Sequence, residues 1–137
     1  MFRRILVATD GSDHAQDAVE YAFQLAERYD ATVHAMFAVD TNVTGEPALS
    51  SGEVLVSELE DYGSEILDRV EEQAEYRAVD CETSRRHGTP HEAIVEESEN
   101  VDADIIVLGY RGTSAASAVG STASRVMRST DRPVLTV

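Results

Sequence analysis

Asp104-Ile-Ile-Val-Leu-Gly109 is the stretch that decides the fold, because it is a short, unbroken aliphatic run that ends in glycine. Such a run is typical of a strand that is buried on both faces of a parallel sheet. The segment Ile5-Leu-Val-Ala8, which ends in Thr9-Asp-Gly-Ser12, has the same character. Parallel strands need long crossover connections, usually helical, so the two segments together favour an α/β fold.

The rest of the chain supplies the alternation of strands and helices that such a fold requires. Further strands are predicted at Thr32–Val39, at Ala78–Arg86, whose centre is polar, and at Pro133–Val137. Apolar residues at helical spacing separate these strands. The predicted helices begin near Ser12 or Asp13, at a Ser50–Glu53 capping box, at a Thr89 cap followed by Pro90, and at Ser121.

This order of elements predicts a single three-layer open-sheet domain that spans residues 1–137. It has five mainly parallel strands with helices on both faces, because right-handed crossovers return each helix onto the sheet. Gly63 interrupts the apolar pattern of the second helix and predicts either a weak point or a close packing contact. Ligands of such sheets bind beyond the carboxyl ends of the strands. That rule selects Asp10, Asp40, the Arg86–Gly88 corner and the segment from Gly109 onward.

Composition excludes several classes of function. The chain has 11 basic and 26 acidic residues and a net charge of −15, and every basic residue is an arginine. We therefore expect no nucleic-acid binding, which needs a basic surface, and no affinity for anionic membranes. The acidic excess indicates either ordinary solubility or a very saline cytoplasm, and the absence of lysine favours the saline one.

The single cysteine and the amino-terminal sequence bear on location. Cys81 is the only cysteine, so no intramolecular disulfide forms, and we expect a buried strand thiol rather than a catalytic one. The apolar run that starts at Ile5 is too short for a secretory signal, and no stretch is long enough to cross a membrane. These features favour a cytoplasmic protein. The four histidines have no zinc-like spacing, and no metal site of protein ligands is predicted.

A glycine-rich segment follows the buried strand and leads into the last helix. It runs Gly109-Tyr-Arg-Gly112, then Thr113–Val119, then Gly120-Ser-Thr122. Glycines let a backbone approach a ligand closely, and a helix start offers free N–H groups to an anion. The P-loop motif requires a lysine, and Thr9-Asp-Gly-Ser12 lacks the dinucleotide-binding glycines, so neither of those phosphate sites is present.

Three features resemble the universal stress protein family: the opening Ile5–Ser12, the corner Gly88-Thr-Pro90, and the ending Asp104–Val137. The resemblance covers essentially the whole chain. It implies a fold like that of the adenine nucleotide alpha-hydrolases, with a Rossmann-like strand order that leaves the last strand at an edge. It also implies cytoplasmic dimers, which we expect to pair through Val134–Val137, an uncharged strand that would otherwise leave an open edge.

The resemblance implies two hypotheses for function. Family members that bind ATP carry a G-x-x-G-x9-G-[ST] loop, whereas only seven residues separate Gly112 from Gly120 here. The first hypothesis is a stress-response or regulatory module that binds ATP, with Mg²⁺ or Mn²⁺ on the phosphates and little or no turnover. The alternative is a dimeric interaction protein of the same fold that binds no nucleotide.

The resemblance also implies roles for individual residues. Asp10 would accept a hydrogen bond from the ribose or help to hold a metal, although it could instead cap the next helix. The residues that would line the adenine pocket are Ala8 and Thr9, with Ala38 and Val39 as backbone partners. Gly109 would pass under the ribose, and the phosphates would lie among Gly112, Gly120, Ser121 and Thr122, with Arg111 as a counter-charge.

Overall fold

The computed structural model describes residues 2–40, 49–110 and 121–137. Strand β1 (Arg4–Ala8) lies at the centre of a five-stranded sheet, and its residues Ile5, Leu6 and Val7 are fully buried. It pairs in parallel with β2 (Thr32–Val39) on one side and with β4 (Ile105–Leu108) on the other. The aliphatic runs that predicted a parallel sheet therefore form its middle.

The two remaining strands complete the sheet at its edges. Strand β3 (Cys81–His87) pairs in parallel with β2, and β5 (Val134–Thr136) pairs in parallel with β4. The sheet order is β3-β2-β1-β4-β5. The chain thus builds outward from β1 to β3, crosses back over the sheet, and continues with β4 on the other side of β1. The predicted position of the last strand at an edge is confirmed.

Four helices cover the two faces of the sheet. Helices α1 (Asp13–Tyr29) and α2 (Leu49–Arg77) pack on one face, where Phe23 and Phe37 lie in the larger apolar core. Helices α3 (Pro90–Asn100) and α4 (Ser121–Ser129) pack on the other face, over a second core that contains Leu6, Met36 and Val126. The predicted three-layer α/β architecture is confirmed.

Two local predictions need correction, and the predicted Thr89 cap followed by Pro90 is confirmed. Helix α2 extends to Arg77, and Ala78 then takes a left-handed φ of 56°, so β3 starts at Cys81 rather than at Ala78. Helix α2 begins at Leu49, one residue ahead of the predicted cap Ser50. Thr89 is the N-cap of α3, but its side chain makes no capping hydrogen bond. Residues 41–48, between β2 and α2, lie outside the described part of the chain.

The close packing contact predicted at Gly63 is confirmed. A Cβ on Gly63 would lie 2.5 Å from Cδ1 of Phe37, far inside van der Waals contact. Any side chain at this position would push α2 away from β2. Gly63 therefore sets the distance between this helix and the sheet.

The polar centre of β3 has a specific partner on α3. The Glu97 carboxylate is buried, with 6% of the residue exposed, and it accepts hydrogen bonds from Arg86 Nη1 at 3.1 Å and Asn100 Nδ2 at 3.2 Å. The Ser84 hydroxyl donates to the same carboxylate. A buried carboxylate is tolerated only when its oxygens are paired in this way. The polar residues that made β3 the weakest strand prediction are thus required by the helix above it.

Cys81 at the start of β3 is half-buried rather than fully buried. Burial, together with the nearby carboxylates of Glu71 and Glu82, raises the pKa of its thiol to about 11. Because the thiolate is the reactive form, this sulfur is inert near neutral pH.

Arg77, the last residue of α2, ties that helix to α1. Its Nη1 lies 2.8 Å from Glu20 Oε2 and its Nη2 lies 2.9 Å from Glu27 Oε1. Its guanidinium also stands 5.5 Å from the centre of the Phe23 ring. The pKa of the Glu20 carboxyl is lowered by its hydrogen bonds with Gln24 and Arg77.

We predict that Arg77→Ala lowers the free energy of unfolding by about 1–2 kcal/mol, since partly exposed ion pairs and a cation–π contact each contribute at most about 1 kcal/mol. Urea denaturation followed by circular dichroism measures this change. Arg69→Ala, an exposed arginine on the same helix, is the control and should change stability little. Equal losses for the two variants would show that Arg77 does not join the helices.

Candidate functional site

The strand order reverses between β1 and β4, and in open parallel sheets the ligand crevice is expected beyond the carboxyl ends of the two strands at this point. In open parallel sheets this change in strand order is where ligands bind, because the connections from the two strands leave toward opposite faces. Here α1 leaves β1 toward one face of the sheet and α4 follows β4 on the other. The predicted residues Thr9, Asp10 and Gly109 directly follow these two strands.

The turn from β1 into α1 is held by its own side chains. Thr9 is buried, and its N–H donates to the Met36 carbonyl of β2 at 3.0 Å. The Thr9 hydroxyl accepts from Gly11 N–H at 3.2 Å, and Asp10 Oδ1 accepts from Ser12 N–H at 2.9 Å. This network fixes the direction in which the Asp10 carboxylate points.

Ser12, and not Asp10, caps the helix that follows. Its hydroxyl accepts from Ala15 N–H at 3.2 Å, and its carbonyl accepts the first helical hydrogen bond from Gln16 N–H at 2.9 Å. The capping role that was the alternative for Asp10 is therefore taken by Ser12. Asp10 belongs to the turn just outside the helix, where it borders the crevice.

Gly109 brings the end of β4 against the first turn of α1. A Cβ at this position would lie 2.9–3.0 Å from the backbone of His14 and from Ala15 N. No side chain fits without moving the helix away. Gly109 therefore lets the end of β4 pack directly against the backbone of the first turn of α1.

Two further sets of predicted residues lie at the same end of the sheet. The side chains of Ala8 and Ala38 lie on the face of the sheet covered by α3 and α4, where they are half-buried against the second core. The side chain of Val39 is fully buried on the opposite face. The Val39 carbonyl accepts from Gly88 N–H at 2.9 Å, which ties β2 to the corner that opens α3. The Val39 carbonyl at the end of β2 is thus already engaged in a hydrogen bond within the sheet.

The last predicted group opens α4. Ser121 is exposed and Thr122 half-buried at the start of the helix, and the buried Ala123 and Val126 anchor it to the sheet. Because α4 runs antiparallel to the strand before it, its first residues lie at the carboxyl edge of the sheet. The predicted residues Arg111, Gly112 and Gly120 lie outside the described part of the chain.

Sequence reasoning missed Tyr62 as a residue of this site. The side chain is 44% exposed, and its hydroxyl lies 3.5 Å from the Asp10 carbonyl oxygen. The one signal in the sequence was Gly63, whose close packing brings this part of α2 onto the sheet.

The opposite, amino end of the sheet carries a broad open hollow of about 1090 Å³. Its polar groups bind one another: Asp104 Oδ2 accepts from the backbone N–H groups of Arg3 at 2.8 Å and Arg4 at 3.0 Å, and His34 Nδ1 lies 3.1 Å from Glu82 Oε2. The backbone hydrogen bond from Arg3, ahead of that from Arg4, holds the pKa of Asp104 below its usual value. These contacts fasten the start of β1 to β4, so we assign this end a structural role.

The described residues contain neither a metal-binding cluster nor a membrane-spanning helix. Over residues 2–40, 49–110 and 121–137, no three His, Cys, Asp or Glu side chains are grouped so that they could hold a metal ion. Among the helices in these ranges, none is long and apolar enough to cross a membrane.

Comparison with known proteins matches the whole chain to one family. The model of the universal stress protein family matches residues 1–137. A universal stress protein of Methanocaldococcus jannaschii is 36% identical, with 100% of this chain and 82% of the relative covered.

Solved structures show the same likeness in three dimensions. The universal stress protein UspA of Lactobacillus plantarum is 30% identical and superposes with a TM-score of 0.86 over 99% of this chain and 97% of its own. A universal stress protein solved in complex with cAMP is 27% identical and has a TM-score of 0.76 over 99% and 97% of the two chains. Sequence, sheet order and three-dimensional similarity agree, and this chain belongs to the universal stress protein family.

Proposed function

We propose that this chain binds an adenine nucleotide, with ATP as its ligand, and that it acts as a stress-response or regulatory module with little or no turnover. The observation that carries the proposal is the packing of Gly109 against the first turn of α1. This contact brings together the oriented Asp10 turn and the end of β4 in one crevice. A ligand in that crevice would touch both strands and the first residues of α4.

Each part of a nucleotide has a matching group at this edge of the sheet. The ribose hydroxyls would donate to the Asp10 carboxylate, which is fixed by its hydrogen bond from Ser12 N–H. The phosphates would lie at the start of α4, where Ser121 and Thr122 offer hydroxyls and the helix offers free N–H groups. The base would lie against the ends of β1 and β2, near Ala8 and Val39.

Similarity supports the class of ligand. One of the structural neighbours is described as a complex with cAMP, which carries an adenine, a ribose and a phosphate. ATP adds two phosphates and, with them, a divalent cation. Mg²⁺ binds ATP mainly through phosphate oxygens and keeps several waters, so it needs few protein ligands.

We predict that ATP with Mg²⁺ raises the melting temperature by several degrees in molar KCl, because a ligand of the native state at about 100 times its Kd stabilises by about 2.7 kcal/mol. Asp10→Ala should weaken ATP binding measured by calorimetry, since it removes the ribose acceptor. Asp68→Ala changes the net charge equally from an exposed position on α2 and serves as the control.

No heat of binding at millimolar ATP would refute the proposal. It would favour the alternative, a dimeric interaction protein of the same fold. Nucleotide released on denaturation of the purified protein, identified by mass spectrometry, tests the same point without any assumption about which nucleotide binds.

We further propose that the protein is a homodimer joined through β5. This strand is at the edge of the sheet, and its partner within the chain is β4. Pro133 C=O and Val137 N–H bond to β4, so alternation along the strand turns the N–H and C=O groups of Val134 and Thr136 outward. A second copy related by a two-fold axis would satisfy both open edges with one antiparallel contact.

The alternation identifies the substitution that tests the dimer. Thr136→Pro removes an outward N–H and leaves the hydrogen bonds to β4 in place, so we predict a folded monomer. Light scattering at molar salt should give a mass near twice 14.9 kDa for the natural sequence and near 14.9 kDa for the variant. A natural protein that is already monomeric at tens of micromolar would contradict the proposed interface.

We also propose that the acidic surface is adapted to a saline cytoplasm. Lowering KCl from molar to about 0.1 M lengthens the Debye length from about 3 to 10 Å and strengthens repulsion among the carboxylates. We therefore predict a melting temperature that falls by several degrees on dilution, measured by calorimetry. A melting temperature that is unchanged or higher in low salt would indicate that the acidic surface serves ordinary solubility.

A further inference from the structure

We propose that Tyr62 is a positioning residue for the nucleotide site, which it serves by holding the Asp10–Gly11 turn from above. The inference rests on the proposed nucleotide binding and adds a residue from α2, an element outside the loops that follow β1 and β4. Its consequence is selectivity for the ribose, because Asp10 is the group that would bind the sugar hydroxyls.

The position of Tyr62 is fixed by the packing of its own helix. Its neighbour Gly63 lets α2 descend until the helix touches the Phe37 ring, with 2.5 Å between a Cβ built on Gly63 and Phe37 Cδ1. The rings of Tyr62 and Phe37 meet edge to face, with centres 5.9 Å apart and planes at 76°. An edge-to-face pair at this distance is a favourable arrangement that restricts the orientation of the tyrosine.

From this position Tyr62 contacts the turn at two points. Its hydroxyl donates to the Asp10 carbonyl oxygen at 3.5 Å, a long hydrogen bond. The same hydroxyl also covers Gly11, where any Cβ would collide with it and would lie 2.5 Å from Ile66 Cδ1. Gly11 has a φ of +82°, which side-chain-bearing residues rarely adopt, so the turn is compatible with the overlying tyrosine only as glycine.

Asp10 is therefore held from two directions. Ser12 N–H binds its carboxylate at 2.9 Å, and Tyr62 binds its carbonyl. Rotation of the Asp10–Gly11 peptide would break the second contact and the hydrogen bond from Gly11 N–H to the Thr9 hydroxyl, and would so disorder the turn that presents Ser12 N–H to the carboxylate. Because 44% of Tyr62 remains exposed, the tyrosine covers the turn without being enclosed itself.

The test compares Tyr62→Phe, which removes only the hydroxyl, with Tyr62→Leu, which also removes the ring. Tyr76→Phe and Tyr76→Leu are matched controls, because Tyr76 is on the same helix and 93% exposed. Calorimetry with ATP and with 2′-deoxy-ATP, both with Mg²⁺ in molar KCl, gives the affinity and the ratio between the two ligands. Amide hydrogen exchange of Gly11 and Ser12, measured without nucleotide, reports the order of the turn.

We expect Tyr62→Phe to weaken ATP binding about threefold to tenfold, the range for one lost hydrogen bond, while 2′-deoxy-ATP binding changes less. Tyr62→Leu should weaken ATP binding further and accelerate exchange at Gly11 and Ser12. The control variants should match the natural protein in all these measurements.

Three different results would overturn the inference, and they are distinguishable. If the natural protein binds ATP and the Tyr62 variants bind both ligands with unchanged affinity and exchange, Tyr62 does not position the turn. If the natural protein binds neither ligand, the proposed function fails, and this role of Tyr62 fails with it. A uniform loss of affinity for both ligands together with a lowered melting temperature would indicate a general structural role instead.

Discussion

The complete burial of β1 between two parallel neighbours is the constraint on which the rest of the structure depends. Ile5, Leu6 and Val7 have no exposed surface, which requires helices on both faces and strands on both sides. A strand in this position must be followed by a change in strand order, because the chain can extend the sheet only at its edges. The same burial that stabilises the fold therefore opens the crevice beside Asp10 and Gly109.

The two ends of the sheet use similar residues for different purposes. At the amino end, the Asp104 carboxylate accepts the backbone N–H groups of Arg3 and Arg4 and so joins the start of β1 to β4. At the carboxyl end, the Asp10 carboxylate accepts from Ser12 N–H within its own turn and is proposed to bind the ligand. Acidic residues thus have a structural role at the amino ends of the strands and a proposed binding role at the carboxyl ends.

Much of the fold follows from patterns within single segments. The aliphatic runs at Ile5 and Asp104 predicted the central strands, and Thr32–Val39 and Ser121–Ser129 were predicted with the bounds that the structure has. The predicted start of β3 at Ala78 was wrong because α2 extends to Arg77. The polar centre of β3 is explained only by the buried Glu97 of α3, a partner distant in sequence. Tyr62 was missed as a site residue for the same reason, since only the packing of α2 on β2 brings it to Asp10.

We propose that nucleotide binds at the carboxyl ends of the strands. A titration that follows each residue separately is the most direct test of this binding site. Two-dimensional ¹H–¹⁵N NMR with increasing ATP and Mg²⁺ in molar KCl follows each backbone amide separately. We expect chemical-shift changes at the amides of Asp10, Gly109 and Thr122, and no changes around Asp30 and Asn100 at the amino end. Changes confined to the amino end, or none at millimolar ATP, would contradict it.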